Sequence, residues 1–406
     1  MLSRHKNFIF CLIGFFLICQ WYNFNQYRKN DNNFEWPLEI NKNNLKNIYF
    51  VKTHKTASSA LQNVLIRLAD KRKMRVVTNL QKEIIINSSF GLNDKIYFIH
   101  GRHNTQIAEK AFPRNNSLYM TILRKPADQL LSSLNYFRML KGKRTTIYNN
   151  IEDERTMKKL ASKNKILCLL RNSASYDLGI VNCAESYKGS EQSLINRFKK
   201  EFDFVILTEY FNEGLILLKK MLNLSYKDIV CLSVNQGTKK VDEKDREWAE
   251  SVIEKVSNAD VILYNYYLKK YEEVRVLLKD EVDELKRQND YYQNECTNGR
   301  EQKYFYGDVP YIGYSLRTNL TGDFKDFCVK LTSTELELTN DLLKKQLDIF
   351  SGSGNGHLRE KKIRESSCSC TGSLGKPQGS SEWRKPSFKP SSLKKINLIF
   401  SLKIFE

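Results

Sequence analysis

The chain has 406 residues, is 41% hydrophobic and carries a formal charge of +20. That length buries a sizeable core in one large domain or two smaller ones, and the charge points to nucleic acid, an anionic membrane or an anionic small substrate as partner. The surplus is dispersed among acidic residues, and residues 351–406 alone hold 11 Lys/Arg against 4 Asp/Glu, or +7 of the +20, so no basic stripe with interleaved aromatics is left for nucleic acid.

Arg4, His5 and Lys6 precede an apolar run from Phe8 to Cys19, which continues less strongly through Trp21, Tyr22 and Phe24. A bilayer span usually needs about 20 residues, with about 17 near the lower limit. No small-residue cleavage site of the Ala-x-Ala kind follows, and bulky aromatics at its end suit a membrane interface. The expectation is a cytosolic tail at 1–7, an uncleaved signal anchor at 8–24, a stem at 25–45 and one lumenal domain at 46–348.

Beyond the stem the chain alternates strand and helix patterns. Ile48 to Lys52 is a strand that breaks into Thr53-His54-Lys55-Thr56-Ala57-Ser58-Ser59 and becomes an amphipathic helix over Ser58 to Lys71. A strand turning sharply into a helix aims orphan amides and the positive end of the helix dipole at one point, where a phosphate fits. Lys55 adds a point charge, and Thr56, Ser58 and Ser59 add hydroxyls. The glycines and terminal Gly-Lys-Ser/Thr of the Walker form are missing.

Strands follow at Arg75 to Thr78 and Lys95 to His100, a helix at Thr105 to Ala111, a strand at Leu118 to Leu123, and after Arg124-Lys125-Pro126 a helix over Ala127 to Leu140. Arg124 at a strand end and Ser132 two turns into the helix can close on a second phosphate. A cradle plus a clamp suits a nucleotide with phosphates on two ribose positions. Residues 141–190 are mixed and polar around Tyr176-Asp177-Leu178-Gly179 and read as a polar wall beside the site. A helix over Gln192 to Lys200, a strand over Phe204 to Thr208 and a helix over Asn212 to Leu222 complete the core, and Val241 to Asp290 reads as charged helix packed on it. Strand–helix alternation argues for an α/β fold with a parallel sheet covered on both faces and ligands at the carboxyl ends of its strands. Residues 349–406 are Ser-, Gly-, Lys- and Pro-rich and read as a disordered basic tail.

The chain resembles the sulfotransferases that use 3′-phosphoadenosine 5′-phosphosulfate (PAPS), most closely the Golgi galactose-3-O-sulfotransferases, the group that includes galactosylceramide sulfotransferase. Lys52-Thr53-His54-Lys55-Thr56-Ala57-Ser58-Ser59 is similar to their 5′-phosphosulfate loop, and Leu123-Arg124-Lys125-Pro126 through Ser132-Ser133 to their 3′-phosphate motif. Similarity continues at Phe204 to Glu213, Leu215 to Lys219 and Ile312 to Leu316, so it spans roughly 46–348. Ala57 stands where many sulfotransferases have Gly, and Lys125 where the family usually has Asp. The resemblance implies a P-loop-NTPase-like three-layer sandwich of the sulfotransferase type. It also implies a single-pass type II protein of the Golgi membrane, and sulfuryl transfer to a galactose-terminated glycolipid or glycan with PAP as product. No metal is expected, and the oligomeric state is unknown.

Within that frame Lys55 contacts the bridging oxygen and 5′-phosphate as leaving charge grows, with Lys52 a weaker second. Lys52, Thr53, Thr56, Ala57, Ser58 and Ser59 complete the cradle, while Arg124 and Ser132 hold the 3′-phosphate; each alternative is a solvated loop residue or an ordinary helix serine. Ser133 points about 100° away from Ser132 on the helix. His5 and His357 lie outside the domain, which leaves His54, His100 and His103 as bases. The resemblance places the base at His54; His100, at a strand end on the same edge, is a base or acceptor contact, and His103 reads as surface. Glu209 either orients a sugar or a His, or caps a helix. A kinase- or NTPase-like protein is disfavoured by the missing Walker Lys-Ser/Thr and Mg²⁺ carboxylate, and an inactive lectin-like relative stays open because of Lys125.

Sequons at Asn87, Asn115, Asn223 and Asn319 fit a lumenal domain. Cys296 and Cys328 flank the family-like C-terminal segment and form the first pairing to try. The odd count among the five cysteines between anchor and tail leaves at least one thiol free.

Overall fold

The computed structural model describes residues 45–87, 94–137, 144–232, 242–305 and 309–352. The expected anchor, nearly all of the 25–45 stem and the 349–406 tail beyond residue 352 lie outside them, whereas residues 349–352 of that tail are helical and close the helix Glu335–Gly352. Among the described residues no helix is long and apolar enough to cross a membrane.

Five strands make one sheet: β1 (Asn47–Val51), β2 (Arg75–Val76), β3 (Lys95–Tyr97), β4 (Ser117–Leu123) and β5 (Phe204–Leu207), in the order β2-β3-β1-β4-β5 and parallel throughout. Every residue of β1, β4 and β5 is buried, as continuous apolar runs require when both faces of a sheet are covered. The helices are α1 (Ser58–Lys71), α2 (Leu80–Asn87), α3 (Thr105–Ala111), α4 (Pro126–Tyr136), α5 (Arg144–Asn150), α6 (Glu154–Lys163), α7 (Ser173–Asp177), α8 (Glu191–Glu201), α9 (Phe211–Leu222), α10 (Tyr226–Ile229), α11 (Glu243–Val256), α12 (Asn258–Leu277) and α13 (Lys279–Cys296). An antiparallel hairpin, β6 (Thr297–Phe305) and β7 (Val309–Leu316), then leads into α14 (Gly322–Thr332) and α15 (Glu335–Gly352).

The strand order places the site. From β1 the chain moves to the β3 side of the sheet, and from β4 it moves to the β5 side. These adjacent central strands therefore send their connections in opposite directions, and the crevice between their carboxyl ends is the topological switch point. Both phosphate motifs open from this crevice.

Several boundaries are shorter than their sequence patterns. β2 stops at Val76 rather than Thr78, β3 at Tyr97 rather than His100, and Thr208 lies in a 3-10 turn after β5. Ladder pairing ends there. Helix α4 starts with Pro126 at its first position, where the missing N–H costs nothing, and ends at Tyr136 rather than Leu140; residues 138–143 lie outside the described set. The charged 241–290 region is three helices, α11 to α13, packed on the core through Val256, Leu263, Tyr267, Tyr271 and Leu285.

Two disulfides brace the fold. Cys296–Cys328 ties the end of α13 to α14, the pairing expected from the sequence. Cys168–Cys183, which no sequence signal singled out, closes the segment that carries α7, and Cys231 is a free thiol.

Candidate active site

The turn after β1 is built from its own side chains. Thr53 Oγ1 donates to the Ile122 carbonyl of β4 at 2.5 Å, while Thr56 Oγ1 and Ser58 Oγ donate to the Thr53 carbonyl at 3.1 and 2.8 Å. Thr53, Thr56 and Ser58 are buried, so these hydroxyls fix the loop from beneath. Lys55 and Ala57 sit in the left-handed region, at φ 60° and 59°. The second is the position where many sulfotransferases carry Gly, which reaches that conformation without steric cost. The amides of Ser58 and Ser59 open α1 as its orphan donors.

The second motif closes on the first. Arg124 Nη1 donates to the Lys55 carbonyl at 3.1 Å, and Thr208 Oγ1 bridges the Thr56 and Leu123 carbonyls at 2.8 and 3.0 Å. Ser132 is half-buried on α4, whereas Ser133 is fully buried. One turn beyond Ser132, the exposed Tyr136 ring lies 3.6 Å beneath the Lys55 ammonium. Burial, with Arg124 and Lys52 adding like charge, pulls Lys55 down to about 8. Lys52 is buried, donates to Gln62 Oε1 at 2.7 Å and lies 3.4 Å from Glu335 Oε1; burial lowers its pKa and Glu335 opposes the shift.

The histidines part company. The His54 amide donates to Asp177 Oδ2 at 2.8 Å, and its ring Nδ1 lies 3.0 and 2.9 Å from Asp177 Oδ1 and Oδ2. Its ring stacks on His100, with centroids 4.5 Å apart. Burial first, then the charges of Lys52 and His54, hold His100 well below its ordinary value; its Nδ1 is buried and has no hydrogen-bond partner among the described residues. His103 is not a surface residue: it is 5% exposed, and its Nδ1 is 3.1 Å from the Tyr49 hydroxyl. A polar side chain in a polar stretch looks exposed until the fold supplies a buried phenol for it.

Glu209 Oε1 accepts the Lys125 amide at 3.0 Å at the start of α4. Lys125 itself reaches outward to Glu250 on α11 at 2.7 Å.

A family model described as galactose-3-O-sulfotransferase matches residues 16–346. The chain belongs to this family. It is 24% identical over 356 residues to Galactose-3-O-sulfotransferase 2 of Sus scrofa, across 74% of this chain and 84% of that protein. Identity to the Homo sapiens Galactosylceramide sulfotransferase is 28% over 210 residues, 47% of this chain and 48% of that one. The Mus musculus Galactosylceramide sulfotransferase is 23% identical over 335 residues, 73% and 78% of the two chains.

Three further residues of this galactose-3-O-sulfotransferase family member shape the site without standing in either phosphate motif as a candidate. Gln129 Nε2 donates to the His54 carbonyl at 2.7 Å, Asp177 holds His54 as described, and Glu335 accepts the Ser59 hydroxyl at 2.6 Å. Asp177 lies in the Tyr176–Gly179 island, whereas Glu335 had no local signal. It opens α15 inside a reciprocal Thr334–Glu337 capping box, with Thr334 N donating to Glu337 Oε2 and Glu337 N to Thr334 Oγ1. Among the described residues no group of three or more His, Cys, Asp or Glu side chains is placed to hold a metal ion.

Proposed function

We propose that this protein transfers a sulfuryl group from PAPS to the 3-hydroxyl of a galactose residue on a glycolipid or glycoprotein glycan. The observation that carries the reading is the convergence of both phosphate motifs at the switch point, with Arg124 on the Lys55 carbonyl and His54 beside them. The first-turn amides of α1, Ser59 and Lys55 take the 5′-phosphosulfate, and Arg124 with Ser132 takes the 3′-phosphate. Thr53, Thr56, Ala57 and Ser58 give the loop its shape.

As the acceptor oxygen attacks sulfur, the bond from sulfur to the bridging oxygen breaks and its electron pair stays on the 5′-phosphate. Lys55 and the α1 N-terminus stabilise that charge, so the site needs no added cation. His54 receives the acceptor proton. His100 suits a contact role better, because burial disfavours the protonated form a base must reach. Two disulfides, and exposed sequon asparagines at Asn115, Asn223 and Asn319, support a lumenal domain of a Golgi type II protein.

Calorimetric titration of the full chain with PAP tests the donor site. Wild type binds PAP, and Arg124→Ala weakens binding by about 1.5 to 3 kcal/mol, the range for a hydrogen bond to a charged group. Equal affinity in the variant removes the clamp, and no PAP binding by wild type removes the donor assignment.

A further inference from the structure

A histidine serves as a base only when one ring nitrogen holds a lone pair aimed at the proton. Two donors of His54, its amide and its ring Nδ1, meet one carboxylate, that of Asp177, at 2.8 to 3.0 Å. An ionised carboxylate only accepts hydrogen bonds, so Nδ1 carries the hydrogen and the lone pair of neutral His54 resides on Nε2. The stacked His100 ring fixes the face of the imidazole while Asp177 fixes its edge.

Asp177 is itself rigidly held. It is 4% exposed and ends α7, whose Ala174 and Ser175 amides donate to the buried Asp260 of α12 at 3.0 and 2.7 Å. Its backbone carbonyl accepts the His103 amide at 2.7 Å. Two residues on, Gly179 has φ +70°, and a Cβ there would lie 2.3 Å from the His103 carbonyl oxygen, so only glycine lets the chain pass this close. A buried helix cap, a backbone hydrogen bond and an obligatory glycine therefore converge on one carboxylate.

We propose that Asp177 is a positioning residue for the transfer step. It holds His54 as the Nδ1–H tautomer, aims Nε2 at the acceptor hydroxyl, and stabilises the imidazolium that forms when Nε2 takes the proton. This rests on His54 being the base in the proposed function. The acceptor O–H breaks, its proton goes to Nε2, its oxygen forms the new bond to sulfur, and the bond to the bridging phosphate oxygen breaks. The other titratable groups around His54 are His100 after β3, Lys52 just after β1 and Lys55 in the loop; these are bases, and Asp177 is the anion that touches the ring.

The test compares wild type with Asp177→Asn and Asp177→Glu, using sulfate transfer from PAPS to a galactoside and PAP binding. Asp177→Asn is expected to lower kcat about 10²-fold or more, with KM and PAP affinity within threefold, and Asp177→Glu to recover part of the loss. Nitrogen NMR of wild type labelled at histidine, assigned with His54→Gln, needs no damaged fold and should show Nδ1–H. Turnover within threefold in Asp177→Asn, or an Nε2–H tautomer in wild type, overturns the proposal. Wild type that transfers no sulfate from PAPS fails the proposed function instead, whatever the tautomer.

Discussion

The Glu335 carboxylate accepts the Ser59 hydroxyl at 2.6 Å and lies 3.4 Å from the Lys52 ammonium, so an acid from the last described helix sits in the mouth of the phosphate cradle. Its side chain is 14% exposed. Burial alone would raise its pKa, but the Lys52 charge and the Ser59 hydroxyl outweigh that and keep it ionised at neutral pH. A phosphate entering the cradle meets this charge and competes for the same donors. Glu335→Gln keeps the shape and removes the charge. PAP is expected to bind it several-fold more tightly than wild type, measured by calorimetry. Weaker binding would mean that Glu335 orders Lys52 for the nucleotide rather than opposing it.

Lys55 gives donor binding a pH dependence. Burial and Arg124 pull its ammonium down to about 8, and a bound phosphate raises it again. Below pH 8 the free and bound forms are both charged and affinity is at its plateau. As pH climbs through 8 the free protein loses the proton that the complex retains, so affinity falls. Titration between pH 6.5 and pH 9.5, about one to two units either side of the shifted value, should show that decline. Lys55→Arg keeps its charge across the range and should flatten it. A wild-type profile that stays level would place the loss of charge elsewhere.

The disulfides make the domain redox-sensitive in stability. Cys296–Cys328 closes a span of 32 residues and Cys168–Cys183 one of 15. Loop-closure entropy gives each about 3 to 4 kcal/mol. Denaturant unfolding of Cys296→Ser should lose about that much, and reductant should destabilise wild type but add little to a variant lacking both bridges. Cys231, half-buried, should alkylate slowly in the folded protein, since desolvation pushes its thiol up to about 11.

Local chemistry decided what the sequence revealed. Helices α1 and α3 begin and end where their patterns do, because a left-handed residue before Ser58 and an Asn104 side chain accepting the Ile107 amide mark their starts. The strand patterns over-ran to Thr78 and His100, since β-branched and aromatic composition continues beyond the last residue with a ladder partner. Strand order was not legible, yet it brings the β1 and β4 loops together. Asp177 and Glu335 reach the loop from 123 and 276 residues away, and nothing in their neighbourhoods signals a partner at that distance. His103 was misread for the same reason, because its partner Tyr49 lies 54 residues earlier on the central strand.

The most direct test of the proposed activity is the position of the transferred sulfate. Full-length protein is incubated with labelled PAPS and a panel of terminal galactosides on lipid, N-glycan and O-glycan carriers, with EDTA present, and the product is mapped by NMR. The expected result is sulfate on galactose O3 from at least one carrier, retained with EDTA and lost in Lys55→Ala and His54→Ala. Label on another hydroxyl, transfer that persists in both variants, or no transfer by a protein that binds PAP would contradict it.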